Sequence, residues 1–510
     1  MNKEAGGSRR LAWVLLLACA LVAFAPTYSW CSPEYRAVTI LHTNDTHGHL
    51  LPFSFPEPPG PDADYAAMPA IKDIGGIARR ATLVQRIESE MSGNVLFLDA
   101  GDVLDGTVLS IEYMGEADFA AMSAAGYDAV TPGNHEFSAS LDEFRRNIRI
   151  ASFPIVSANI VDRKSGSLAL PSYKIFDFRG AKIAVFGLTE PSPDYSAAKE
   201  GFDFLDPVKA AKELVPSLRK QADIVVALTH LGIEQDKKLA REAPGIDVIV
   251  GGHSHTRLVT PILVRQTDQP QAFWIGGTII AQDYWWGGEL GRLDLRLRRD
   301  GGPFTLMSYS GRLIPVTSDI PEDPATARAV DKYYRPISKY YDQVIGEATA
   351  TFYNEGKSEN SILNLVCDAM REAGGVQVAI YNRGGVRGDM LRGPIRVWDV
   401  AAVLPFRNKL VEIEVTGKRL KQALAEGKPG VSGMRYRIVG GKVVEAVVGG
   451  QPLDDDAVYK IATVDFLLKN LFRGVTAGRV INENYREPVI SYIKARKIIS
   501  PVIDGRIKIK

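Results

Sequence analysis

At 510 residues the chain is too long for one hydrophobic core and calls for two or three domains. Its composition, 45% hydrophobic and 24% charged, is that of an ordinary globular protein, and a formal net charge of +1 argues against the broad basic surface that holds a nucleic-acid polymer. A phosphate-bearing ligand must therefore be held by a local site, and three cysteines leave no cysteine-built metal site.

The amino terminus reads as an export signal. Lys3, Arg9 and Arg10 precede an apolar run from Leu11 to Ala25, and Pro26 to Ser29 supply a turn and small residues. The run is shorter than the roughly 20 residues that span a bilayer, so residues 1–30 are expected to be removed. The mature chain is then periplasmic or extracellular and carries no membrane span. Cys19 leaves with the signal; Cys31 and Cys367 remain, and sequence leaves open whether they pair.

From Ala37 onward strand-like runs alternate with amphipathic helical stretches. The runs are Val38 to His42, Val95 to Asp99, Ala129 to Thr131, Ile155 to Asn159, Ile183 to Leu188, Ile224 to Thr229 and Val248 to Val250. Gly76 to Ser92 and Pro207 to Gln221 read as helices, and Phe273 to Arg299 as strands that close an α/β domain. Pro52 to Ala67 reads as a surface loop. Around Pro321 and Pro324 the character changes to a polar, Tyr-rich helical pattern, so 319–345 is expected to connect the first domain, 36–318, to a second α/β region, 346–510.

All seven histidines fall between His42 and His255, none in the second half of the chain. They sit in His42-Thr43-Asn44-Asp45-Thr46-His47-Gly48-His49, Gly133-Asn134-His135-Glu136, Thr229-His230-Leu231-Gly232 and Gly252-His253-Ser254-His255; Asp99-Ala100-Gly101-Asp102 adds carboxylates. Each motif follows a predicted strand, and in α/β sheets the ligand crevice lies at the carboxyl ends of the strands. Five such ends bring imidazoles and carboxylates together, a donor set suited to Zn, Mn, Fe or Co rather than Ca or Mg. Without a metal the same residues would bury several imidazoles and carboxylates at considerable cost.

These motifs resemble the calcineurin-like metallophosphoesterase signature, and their order is similar to that of the 5'-nucleotidase family, which includes nucleotidase/UDP-sugar hydrolases and ecto-5'-nucleotidase. The likeness continues through Asn364 to Met370, Tyr381 to Arg387 and Leu404-Pro405-Phe406. The resemblance implies an amino-terminal αββα-type sandwich joined by a linker helix to a smaller α/β substrate-binding domain. It implies two divalent ions of the Zn, Mn or Co type, one held by Asp45, His47, Asp102 and His255, the other by Asp102, Asn134, His230 and His253. A metal-activated water would attack the phosphoryl group in line, with His135 beside it as the catalytic histidine. His42 and His49 fall outside the ligand set and are expected to pack or support it.

For the substrate, the resemblance implies a nucleotide or another small phosphate ester, bound by Asn382, Arg387 and Asn408 and clamped between Phe406 and Phe466. The activity implied is that of a 5'-nucleotidase in nucleotide catabolism. The alternatives are a cyclic-nucleotide phosphodiesterase or nucleotide-sugar hydrolase, or a metal-binding homologue with little turnover. Three positions depart from the family pattern. Ser138 stands where an Asp usually orients the histidine, leaving Glu136 or Asp142 to compensate. Lys357-Ser358 replaces an Arg, and Leu468 to Phe472 replaces a glycine-rich ribose loop.

Overall fold

The computed structural model describes residues 32–55, 68–191, 196–265, 275–354, 358–476 and 478–510. The expected signal and Cys31 lie outside the described residues, as do 56–67 of the expected surface loop. Pro52–Phe53, at its start, pairs with Ile74–Gly75.

The first half is built on two facing sheets. One runs Thr305–Pro315, Glu289–Arg299, Glu34–Thr43, Val95–Asp99, Ala129–Val130; the other runs Ile262–Arg265, Gly277–Ala281, Val248–Gly251, Ile224–His230, Ala181–Thr189, Tyr173–Phe178. The central strands are near-continuous apolar runs because both of their faces are buried. Successive side chains point to opposite faces. Ile40, Leu96, Leu98, Val185, Val226 and Leu228 therefore meet in one core between the sheets. Their neighbours Leu41 and Phe97 pack against the Ile77–Glu90 and Glu116–Ala125 helices. Phe186, Val225 and Ala227 pack against Pro207–Leu218 and Ile233–Glu242. The result is the four-layer αββα sandwich. The expected strand at Ile155 to Asn159 is reduced to a single bridge, Val130 to Ile155, as the chain crosses from one sheet to the other.

The helix in the expected connecting stretch spans Pro324–Tyr341. Asp323 caps it by accepting from the Thr326 amide at 2.8 Å, and Pro324 takes the first turn, where no amide hydrogen is needed. It lies along Glu116–Ala125, with Tyr333 Oη donating to Glu116 at 3.0 Å.

The second half has a mixed sheet ordered Gly430–Ser432, Val378–Tyr381, Val458–Val464, Leu410–Thr416, Val480–Asn482, with Ser361–Gly374 packed on it. Cys367, on that helix, is fully buried and unpaired among the described residues. Val108, on the short Val108–Tyr113 helix of the first half, belongs to this second core. Arg407 donates to the carbonyl oxygens of Ile111 and Glu112 at 2.6 and 3.2 Å, and Tyr341 Oη to the Glu112 carboxylate at 2.7 Å. These contacts hold the two halves around one cavity.

Candidate metal centre

Parallel register sets the strand ends level. Thr43 pairs with Asp99, Asp99 with Val130, His230 with Thr189 and Thr229 with Gly251. The turns after these ends carry Asp45, His47, Asp102, Asn134, His253 and His255, and the Ile224–His230 strand ends on His230 itself. Asp45, His47, Asp102, His253 and His255 all have left-handed backbones, with φ of 49, 44, 55, 76 and 49°. Five non-glycine residues in that sparsely populated region persist only when the surroundings impose them, a pattern typical of functional sites. Gly133 allows the close approach this requires, since a Cβ there would meet Asp102 Oδ1 at 2.2 Å.

Three groups of atoms close enough to hold a metal ion converge: Asp45 with His47 and His255, His47 with Asp102 and His135, and Asp102 with His230 and His253. His47 Nε2 and His255 Nε2 are 3.3 Å apart, and His255 Nε2 is 3.2 Å from Asp45 Oδ1. Asp102 Oδ2 lies 3.2 Å from His230 Nε2 and 3.9 Å from His47 Nε2. His253 Nδ1 is 3.0 Å from Asn134 Oδ1, which brings the seventh expected ligand beside the third group. Asp45, His47, Asp102 and His230 are buried, His255 half-buried and His253 exposed at the mouth.

Backbone carbonyls fix the imidazoles. His47 Nδ1 donates to Leu104 O at 3.1 Å and His230 Nδ1 to Ala100 O at 2.7 Å, so each presents Nε2 inward. Burial, with His135 adding to it, pushes His47 down to about 3, which keeps it neutral with a lone pair to offer. Burial also opposes charge on His230, but Asp102 and Asp45 outweigh it and raise the imidazole to about 10. Burial resists ionisation of Asp102, yet His230, His135 and His47 hold its carboxyl well below the usual range. Asp45 is likewise lowered, with burial overcome by His255 and His230. The buried Nε2 of His230 makes no well-directed hydrogen bond among the described residues. A carboxylate facing two inward nitrogens is balanced by a proton on an imidazole or by a cation between them, and this donor set fits divalent transition metals.

Glu136 holds the scaffold of this site. Its carboxylate accepts from the amides of Asp102, Val103, Leu104 and Gly133 at 3.0, 2.7, 3.2 and 2.5 Å. It is therefore not the partner of His135. Neither is Ser138, whose Oγ is buried and makes no hydrogen bond among the described residues. His135 Nδ1 instead meets Asp105 Oδ2 at 2.7 Å, and the His135 amide donates to Asp102 Oδ1 at 2.8 Å. Burial opposes protonation of His135, but Asp102 and Asp105 prevail and set it above the ordinary imidazole value. Asp105 escaped the sequence reading; the available signal was a second Asp three residues after Asp102, followed by a glycine.

The remaining histidines stand off the ligand groups. His42 is buried over Gly291, where a Cβ would meet its ring at 2.1 Å. His49 stacks on Trp286, ring centroids 4.3 Å apart, in an aromatic group with Phe55 and Trp285. Trp285 in turn packs against His255 at 4.7 Å.

A cavity of about 830 Å³ opens from His47, His135 and His255 to residues of the second half. Arg387 and Phe406 line it there, with the guanidinium 5.8 Å from the Phe406 ring centre. Asn382, Asn408 and Phe466 do not line it: the Asn382 Oδ1 is buried, the Asn408 carbonyl accepts from the Tyr485 amide at 3.1 Å, and Phe466 is 48% exposed. Leu468 to Phe472, in place of a glycine-rich loop, buries Leu471 and Phe472 in the second core. Lys357 lies outside the described residues.

The calcineurin-like phosphoesterase family matches residues 38–257, and the 5'-nucleotidase carboxyl-terminal domain family matches 344–474. A 5'-nucleotidase of Vibrio vulnificus is 30% identical over 89% of this chain and 89% of its own length. The trifunctional nucleotide phosphoesterase protein YfkN of Bacillus subtilis is 29% identical over 92% of this chain, which spans only 35% of that longer protein. Among solved structures, a 5'-nucleotidase precursor from Thermus thermophilus superposes with a TM-score of 0.79 at 30% identity, covering 93% of this chain and 99% of that one. Likeness of that extent, with both domains matched in order, means that this chain belongs to the 5'-nucleotidase family and is a metal-dependent phosphoester hydrolase.

Proposed function

We propose that the chain releases phosphate from nucleoside 5'-monophosphates and holds two divalent ions of the Zn, Mn or Co type. One ion would take Asp45, His47, Asp102 and His255, the other Asp102, Asn134, His230 and His253. The observation that carries this reading is that Asp102 Oδ2 faces a nitrogen of each set, His47 Nε2 at 3.9 Å and His230 Nε2 at 3.2 Å. Bound there, the ions supply positive charge for the phosphoryl oxygens and lower the pKa of a water molecule.

The rest is done by side chains. His135, at the cavity wall, offsets the charge that develops on the phosphoryl group or its leaving oxygen. Arg387 provides a fixed cation from the second domain, and Phe406 a face on which a base stacks, worth about 1–3 kcal/mol. The domain limits we assign are 36–318, 319–345 and 346–510, supported by family matches at 38–257 and 344–474. Export is supported by the basic start and apolar run of residues 1–30. No helix among the described residues is long and apolar enough to cross a membrane.

Hydrolysis by the metal-loaded mature chain tests this across AMP, a 2',3'-cyclic nucleotide, a UDP-sugar and an aryl phosphate, each with and without EDTA. Strong EDTA-sensitive release from AMP is the expected result. Preference for the cyclic nucleotide would move the activity to a phosphodiesterase, preference for the UDP-sugar to a nucleotide-sugar pyrophosphohydrolase, and turnover of the aryl phosphate alone would remove the nucleotide from the proposal.

A further inference from the structure

We propose that Asp105 is the positioning residue of His135, in the role for which the resemblance implies a carboxylate at position 138. This rests on the assignment of His135 to the phosphoryl group. Four observations support it. His135 Nδ1 and Asp105 Oδ2 are 2.7 Å apart. Ser138 Oγ, at the position where the resemblance implies the orienting group, is buried and makes no hydrogen bond among the described residues. Glu136 is committed to four backbone amides. Asp105 is itself held in place: its backbone is left-handed at φ 67°, and its amide donates to Ser110 Oγ at 2.9 Å.

The two positions can trade because of local geometry. His135–Phe137 is a turn of 3₁₀ helix, closed by the Ser138 amide on the His135 carbonyl at 3.0 Å. Residues i and i+3 eclipse in that helix, so a carboxylate at 138 would lie against the 135 ring. One carboxylate is enough. A second would crowd Asp105, Asp102 and Glu136 with like charge. Asp105 reaches the ring from the loop after Asp102, and the Asp105 carboxylate thus comes from the same turn as a metal ligand. With Nδ1 committed as donor to Asp105, chemistry at the substrate falls to Nε2, and the carboxylate stabilises the charged imidazolium.

Four variants of the metal-loaded protein test this: Asp105→Asn, His135→Ala, the double Asp105→Asn/His135→Ala, and Asp105→Asn/Ser138→Asp. Asn tolerates the left-handed backbone, so folding should survive. Asp105→Asn is expected to lower kcat on AMP about 100-fold with KM within about threefold and metal content unchanged. In the His135→Ala background the same change should cost no more than about twofold, because residues that act as a unit are not additive. Returning a carboxylate at position 138 should recover at least about tenfold of the loss. Nitrogen-15 spectra of labelled histidine should place a proton on His135 Nδ1 in the native protein and show that signal shifted in Asp105→Asn. Full kcat in Asp105→Asn, an equal loss with and without His135, or a loss explained by missing metal would each overturn the proposal. If the native protein hydrolyses no phosphoester, the function assigned above fails, and the histidine spectra still decide the Asp105–His135 pairing.

Discussion

His230 Nδ1 donates to the carbonyl oxygen of Ala100 across 2.7 Å, which ties the carboxyl end of one sheet to that of the other and aims Nε2 at Asp102. A nitrogen held 3.2 Å from a buried carboxylate carries either a proton or a cation, and the rise of His230 to about 10 puts a proton there when no metal is bound. Metal loading near neutral pH should therefore expel protons, measurable by calorimetry in two buffers of different ionisation enthalpy. Chelation should lower Tm, since an ion present at 100 times its Kd contributes about 2.7 kcal/mol. Asp102→Asn should leave a folded protein without detectable hydrolysis; retained turnover would exclude a bridging role.

Glu136 accepts from four amides with two oxygens, a set that its amide counterpart cannot satisfy. In Glu136→Gln one of those oxygens becomes an NH₂ that faces N–H donors. The variant should lose about 2–3 kcal/mol of stability in denaturant titrations and bind metal more weakly, because the turn carrying Asp102 is no longer held. A variant as stable as the native chain would show that this turn is fixed by its own backbone.

The two candidate clamp residues are not equivalent. Phe406 lines the cavity beside Arg387, whereas Phe466 is 48% exposed and outside its lining. Phe406→Ala should raise KM for AMP about tenfold, the loss of one base-stacking contact, while leaving an aryl phosphate little affected. Phe466→Ala should change KM less than Phe406→Ala does. The reverse order in steady-state kinetics would require Phe466 to reach the ligand in another arrangement of the two domains.

Asp128 accepts from the Phe97 amide at 2.8 Å at the rim of the first sheet, and burial, helped by Glu88, raises its carboxyl to about 6. The folded state thus binds this proton more tightly than the unfolded chain, so the group stabilises at low pH. That contribution disappears as pH rises from about 4 through about 6. Asp128→Asn keeps an acceptor for Phe97 and removes the titration. Allowing for partial exposure, it should gain about 1–2 kcal/mol over the native chain at pH 7 and little at pH 4. A difference that does not change with pH would assign the effect to packing.

The sequence by itself foretold that these imidazoles and carboxylates converge. Glycine-flanked His, Asp and Asn residues sit directly after apolar runs, and strand alternation and parallel register place those ends level wherever such runs form one sheet. Val38–His42, Val95–Asp99 and Ile224–Thr229 were legible because burial on both faces leaves a near-continuous apolar run. Which carboxylate orients His135 was decided only by the tertiary structure. The family resemblance pointed to position 138, with Glu136 or Asp142 left to compensate for its Ser, but the contact is made by Asp105 from another turn, 30 residues away in the chain. The same holds for the cavity. Arg387 and Phe406 become neighbours of His47 and His135 because Arg407, Tyr341 and Val108 join the two halves. Contacts across such distances depend on how whole elements pack, and no periodicity along the chain encodes them.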